Sequence, residues 1–159
     1  MIEFKKYTAK NSHYQLHREI LSTLKLSLNM EQAQRENIFI KDICNRVLKS
    51  NTVIYMLRYG EKTLGFIALS VSSIDSFPSL QVDYLFVDST YRGVVLEGLE
   101  DTKSSIYLIE FAIEIAKEIQ DQVGLRYLVL LPDDKRLEKI YQEIGFLKFP
   151  KKDWMFFKL

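Results

Sequence analysis

Tyr91, Arg92 and Gly93 follow the largely apolar run 82–87 after Asp88-Ser89-Thr90. A cation and a glycine at the end of a strand let main chain come close to a phosphate. Lys103, Ser104 and Ser105 precede the longest apolar helical stretch of the chain. A helix start offers unpaired N–H groups and the positive end of a dipole, so a cation and two small residues there suit the same anion. Thr102, Ser104 and Ser105 serve equally as plain helix caps, and both readings stand. A third element, LEKIYQEIGF at 137–146, places Tyr141 four residues before a Gly-Phe that closes a helix. A phenol with a pKa of about 10 keeps its proton at neutral pH and can deliver it to a leaving group. A core tyrosine packed by its ring is the plain alternative. Asp83 shares a strand face with Gln81. It is either a general base or a solvent-facing carboxylate.

These residues need a scaffold. Alternation at 2–8 predicts a strand. Asn11 or Ser12 opens a helix running to about Leu28, with Leu16, Ile20, Leu24 and Leu28 on one face. A second helix spans about 32–48. Two β-rich runs, 52–58 and 62–72, are joined by Tyr59-Gly60-Glu61 as a hairpin. A Ser-Phe-Pro-Ser turn leads to a strand at 80–88, and 88–103 reads as mostly irregular. Asp101 or Thr102 caps a helix at 104–120. The run 126–131 suits a strand covered on both faces. Pro132-Asp133-Asp134 starts a last helix that stops at Gly145, and strands at 146–149 and 154–159 close the chain. The order β-α-α-β-β-β-α-β-α-β-β is an α/β layer arrangement in one domain, residues 1–159.

Composition narrows the function classes. The 159 residues are 47% hydrophobic and 13% aromatic, and 22 basic against 21 acidic residues leave a net charge of +1. That balance speaks against nucleic acid or anionic lipid as a partner. One cysteine, Cys44, excludes an internal disulfide and fits a reducing compartment. No signal core and no run of about twenty apolar residues is present, so a cytoplasmic protein is expected. His13 and His17 are spaced i and i+4, but no third ligand accompanies them, so they read as a surface pair and no metal is expected.

Strand, YRG turn, long helix and KIYQEIGF occur in the order and spacing of the GNAT acetyltransferases, and the chain resembles that family from about Leu64 onward. The resemblance implies the GNAT fold, a mixed, mostly antiparallel central sheet flanked by helices. It implies acetyl-CoA as cosubstrate and a primary amine as acceptor, attacked directly. The family's coenzyme loop maps onto Arg92 and Gly93. Val95 and Glu97 stand where its small residues belong. Aligning IYLIEFA, 106–112, with the family's first helical turns places Lys103, Ser104 and Ser105 at the phosphates and leaves about eight extra residues, 94–101. The resemblance further implies a main-chain contact to the thioester carbonyl at Leu85-Phe86-Val87. It gives Tyr141 the role of general acid. Asp83 is the nearest base, because Gln81 stands where many members carry Glu. Asp134 occupies the place of a coenzyme-contacting Asn. The acceptor would be read by residues 21–45 and 150–156, and a homodimer is left open. A GNAT-like module that binds an acyl-CoA or a protein without transfer is the other reading. A toxin acting on aminoacyl-tRNA is a third, one that the neutral charge does not favour.

Overall fold

The computed structural model describes all 159 residues. Nine strands and four helices form, and seven of the strands make one sheet in the order β1-β2-β3-β4-β7-β9-β8. These are β1 (Ile2–Tyr7), β2 (Val53–Tyr59), β3 (Lys62–Ile74), β4 (Phe77–Val87), β7 (Tyr127–Leu130), β8 (Leu147–Lys148) and β9 (Met155–Lys158). Pairing is antiparallel for β1–β2, β2–β3, β7–β9 and β8–β9, and parallel for β4–β7. The helices are α1 (Leu16–Thr23), α2 (Met30–Leu48), α3 (Ser104–Gln120) and α4 (Lys135–Ile144). The mixed, mostly antiparallel sheet and the expected element order are both present, with one addition. A two-stranded hairpin of β5 (Val95–Leu96) and β6 (Thr102–Lys103) fills the stretch expected to be irregular. No helix is long and apolar enough to cross a membrane.

Two compact units divide the chain: residues 1–69 with 83–110, and residues 70–82 with 111–159. Strands β3 and β4 and helix α3 pass from one into the other. In the first unit, Leu16 and Ile20 of α1 and Ile40, Ile43, Cys44 and Val47 of α2 pack with Ile54, Met56, Phe66, Ala68 and Phe86 of the strands. The single thiol, Cys44, is part of this core, and burial pushes it up to about 12. Lysines at positions 5 and 6 of edge strand β1 protect it from pairing with another chain. In the second unit β7 lies between β4 and β9, and Leu128, Val129 and Leu130 are buried.

Several boundaries differ from the sequence reading. Helix α1 begins at Leu16 behind Gln15, so neither Asn11 nor Ser12 caps it, and Asn11 accepts from Thr8 N–H instead. Helix α1 stops at Thr23, and Leu24 is extended (φ −122°, ψ 140°). The Lys25 N–H donates to Asp88 (3.0 Å) and the Ser27 N–H to Glu36 (2.8 Å). Distant carboxylates thus claim the amides that a longer helix would use. The turn before β4 is Asp75-Ser76, both at positive φ (49° and 68°), and Phe77-Pro78-Ser79 belongs to the strand. Paired positive φ is what a tight two-residue hairpin connection requires.

Candidate functional site

The first unit contains the turn after β4. Asp88 is buried, and its carboxylate accepts from Thr90 N–H (2.8 Å) and Lys25 N–H (3.0 Å). A short 3-10 turn at Ser89–Tyr91 follows. Arg92 turns inward. Its Nε donates to Val87 O (2.8 Å), its Nη2 lies 2.9 Å from Glu36 Oε2, and its guanidinium sits over the Phe86 ring at 5.1 Å. The Arg92 side chain, expected at the phosphates, is therefore engaged with Glu36 and the end of β4. Gly93 beside it is exposed. Gly93 takes φ +72° with open space where a Cβ would lie, a conformation that favours glycine.

The extra residues fold as a unit of their own. Val95 pairs with Lys103 and Leu96 with Thr102. A 3-10 turn at Glu97–Leu99 buries Leu99 completely, and Gly98 lies so close to the Tyr59 ring that a Cβ would collide with it. Glu97, Glu100 and Asp101 are all exposed. Lys103 ends β6 and Ser104 begins α3 directly, so Thr102 lies in a strand and is not a cap. Ser104 is fully buried and its Oγ makes no hydrogen bond; Ser105 is half-buried. The first turn of α3 carries no acidic residue. Its dipole is thus unopposed from within the helix.

At the end of β4, Phe86 is a core residue stacked near Phe66 (5.7 Å), while Leu85 and Val87 are half-buried. Gly65 brings its backbone onto the Phe86 carbonyl so closely that a Cβ could not fit. Asp83 is half-buried, and its Oδ2 accepts from Thr52 Oγ1 at 2.8 Å. The carboxylate is held by a buried hydroxyl, and a base role would share it with that bond.

The second unit contains the α4 residues. Asp134 caps the helix, accepting from Leu137 N–H at 2.9 Å. That geometry is a helix cap made through one carboxylate oxygen. Tyr141 is only 8% exposed. Burial first, and then the Asp133 and Asp134 carboxylates, push its phenol up to about 12. The Asp133 carboxyl is held above its usual range by partial desolvation and then by Asp134, although the residue as a whole is exposed. Gly145 ends the helix at φ +126°, with Phe157 where its Cβ would be, and Tyr141 O accepts from both Gly145 N–H (3.2 Å) and Phe146 N–H (3.0 Å). The Gly-Phe pair thus fixes the backbone under Tyr141. In the same unit Gln81 lines a groove of about 180 Å³ with Ser72, Ser73, Ile74, Val129 and Trp154.

Glu36 was not singled out by sequence, nor was the role of Asp88. The available signal for Glu36 is its place on the buried stripe with Ile40, Ile43 and Val47: a carboxylate there needs a partner. His13 pairs with Glu19 (3.2 Å) and His17 with Asn37 (2.8 Å), so the two act as separate surface residues.

No family model matches the chain, and no curated protein matches it in sequence. Solved structures do. A Tyr→Phe mutant of the AtaT toxin, bound to the C-terminus of the antitoxin AtaR and acetyl-CoA, is similar with a TM-score of 0.71 and 16% identity over 99% of this chain and 93% of that one. AtaT complexed with acetyl-methionyl-tRNAfMet gives 0.70, 16%, 99% and 95%. The KacTA–DNA complex gives 0.70, 16%, 99% and 93%. Two of these three complexes contain nucleic acid, so the expectation drawn from net charge, that nucleic acid is no partner, finds no support among proteins of this shape. Identity this low carries the architecture over almost the whole chain and nothing finer: this protein has the GNAT fold.

Proposed function

We propose that this chain is an acetyl-CoA-dependent N-acetyltransferase acting on a primary amine by direct attack. The observation that carries the reading is the start of α3, where Ser104 Oγ is buried without a partner and no carboxylate occupies the first turn. The pyrophosphate of the coenzyme is the anion that such a start would take, with Lys103, Ser105, the Gly93 turn and the main chain at Arg92 around it. The amides of Leu85–Val87 would face the thioester carbonyl, where negative charge develops.

The reaction forms the amide C–N bond and breaks the thioester C–S bond, and the amine loses a proton while the coenzyme leaves as a thiol. Holding the two reactants in line supplies much of the rate. Tyr141 is the proton donor. With its phenol at about 12 it is protonated throughout the neutral range. A thiol ordinarily titrates at about 8.5. The phenol is the weaker acid, so it acts mainly as a hydrogen-bond donor to the developing thiolate, with transfer late. Asp83, or a water it holds, is the proposed acceptor of the amine proton. Asp134 contributes as the cap of α4 and through its charge on Tyr141.

For the acceptor, the complex of AtaT with acetyl-methionyl-tRNAfMet makes the amine of an aminoacyl-tRNA the first candidate to test, and the AtaR complex makes a peptide antitoxin a candidate partner. A second reading, a module that binds acyl-CoA without transfer, draws on Gln81, which cannot accept a proton, and on the Thr52 bond to Asp83. Calorimetry with acetyl-CoA followed by thiol release with small amines, a lysine peptide and methionyl-tRNA separates the two. Heat and turnover support the enzyme. Heat without turnover on any amine supports the module. No heat overturns both.

A further inference from the structure

We infer that Glu36 is a positioning residue for the turn after β4: one buried carboxylate that fixes Arg92 on one side and the α1–α2 connection on the other. The inference rests on the proposed reading of that turn as the coenzyme's anion site.

Glu36 is 7% exposed, on the inward stripe of α2. Its Oε2 takes Arg92 Nη2 at 2.9 Å and Gln32 Nε2 at 3.2 Å, and its Oε1 takes the Ser27 N–H at 2.8 Å. Three donors on one carboxylate explain how a charge is tolerated there. Arg92 is held from three directions: by Glu36, by Val87 O through Nε, and by the Phe86 ring under its plane. A guanidinium so fixed leaves its own backbone, and the adjoining Gly93, little freedom to turn inward. A second link runs parallel. Asp88 accepts from Lys25 N–H, and Ser89 N–H donates to Lys25 O at 3.0 Å. Residues 24–29 and 88–93 are therefore tied at two points, through Asp88 and through the Glu36–Arg92 pair. Sequence places residues 24–29 within the stretch expected to read the acceptor. Movement of that connection is thereby transmitted to the anion-binding turn.

Glu36→Gln keeps an acceptor for Ser27 and removes the ion pair. In the full chain without ligand, amide exchange should rise about tenfold in residues 24–29 and 89–94 together, with the centres of α3 and α4 unchanged. The KM for acetyl-CoA should rise about tenfold while kcat at saturation holds within about twofold. A uniform rise across all amides, or no change in 89–94, overturns the assignment and leaves Glu36 an ordinary buried ion-pair residue. Arg92→Gln opens the same pair from its more exposed end. It must reproduce the two-segment pattern, which keeps the inference testable if Glu36→Gln does not fold. The enzymatic reading fails separately: wild-type protein that gives no heat with acetyl-CoA overturns it, while the exchange pattern still decides the role of Glu36.

Discussion

Helix α3 begins at Ser104 with a buried hydroxyl that has no partner and no carboxylate in its first turn, whereas α4 begins behind Asp134, whose side chain already accepts the Leu137 N–H. Any helix start has the same four unpaired amides in principle. One has been neutralised by the chain's own acid, with Asp133 before it and Glu138 after it. The other has a lysine immediately before it. The contrast separates two functions that sequence leaves mixed. A capped start is finished and does structural work, here placing a helix that carries Tyr141. A start with no acid in its first turn retains attraction for an anion from outside.

The largest expected effect breaks the α4 side of the contrast. Tyr141→Phe removes the hydroxyl and keeps the ring against Phe146 (5.9 Å). Turnover should fall on the order of a hundredfold, with acetyl-CoA affinity within about twofold. Single-turnover kinetics beside calorimetry give both numbers. Unchanged turnover would make Tyr141 a packing residue and remove the reason for a precisely ended α4.

A second change makes α3 resemble α4. Ser105→Glu puts a carboxylate in the first turn of α3 without entering the fully buried Ser104 site. It should stabilise the helix by about 0.5 kcal/mol, since an acid suits a helix N-terminus. The same charge should weaken acetyl-CoA at least about tenfold, by repelling phosphate. Opposite signs in thermal unfolding and in calorimetry are the signature. Equal affinity in the variant and the wild type would place the phosphates elsewhere.

How much of this was legible in the residues depends on the range of the interactions. Strand β1 follows from local alternation, β2 and β3 from β-rich runs around a Gly-containing turn, and α4 from its Asp start and Gly end. The end of α1 does not: Leu24 and Leu28 keep helical spacing, yet Leu28 is 96% exposed and Leu24 extended, because Asp88 and Glu36 take the amides between them. Arg92 was legible as a cation at a strand end. Its inward turn was not, because the deciding partner lies on another helix. The hairpin at 95–103 has too few residues per strand to show a period; its anchor is Leu99, a single buried side chain. Asp134 carried two meanings in sequence, cap and coenzyme contact; geometry shows the cap and leaves the second to experiment.

Asp134→Ala removes that cap. A lost cap of this type costs about 1 kcal/mol, which denaturant unfolding resolves. Turnover should fall only as far as Tyr141 loses its place at the helix end. A drop in turnover as deep as that of Tyr141→Phe, with no loss of stability, would show that Asp134 touches the reactants directly.

Asp134→Asn has the smallest expected effect and sharpens the contrast most finely, because it separates the cap from the charge. Asparagine retains an acceptor for Leu137 N–H and caps about as well, so stability near neutral pH should change by only a few tenths of a kcal/mol. What disappears is the negative charge that helps raise both Tyr141 and Asp133. The sign follows from the folded phenol lying above its ordinary value of 10.0, at about 12. Folding favours the protonated phenol, so the stability linked to it is complete below pH 10 and is lost as pH rises toward 12. Without the Asp134 charge the folded phenol titrates at lower pH, and the Asp133 carboxyl moves down with it. Ultraviolet titration of phenolate in the variant and in Asp134→Asn/Tyr141→Phe assigns the shift to Tyr141 among nine tyrosines. An unmoved phenol would mean that Asp134 does not help set its acidity, and that this acid at the start of α4 serves the helix and not Tyr141.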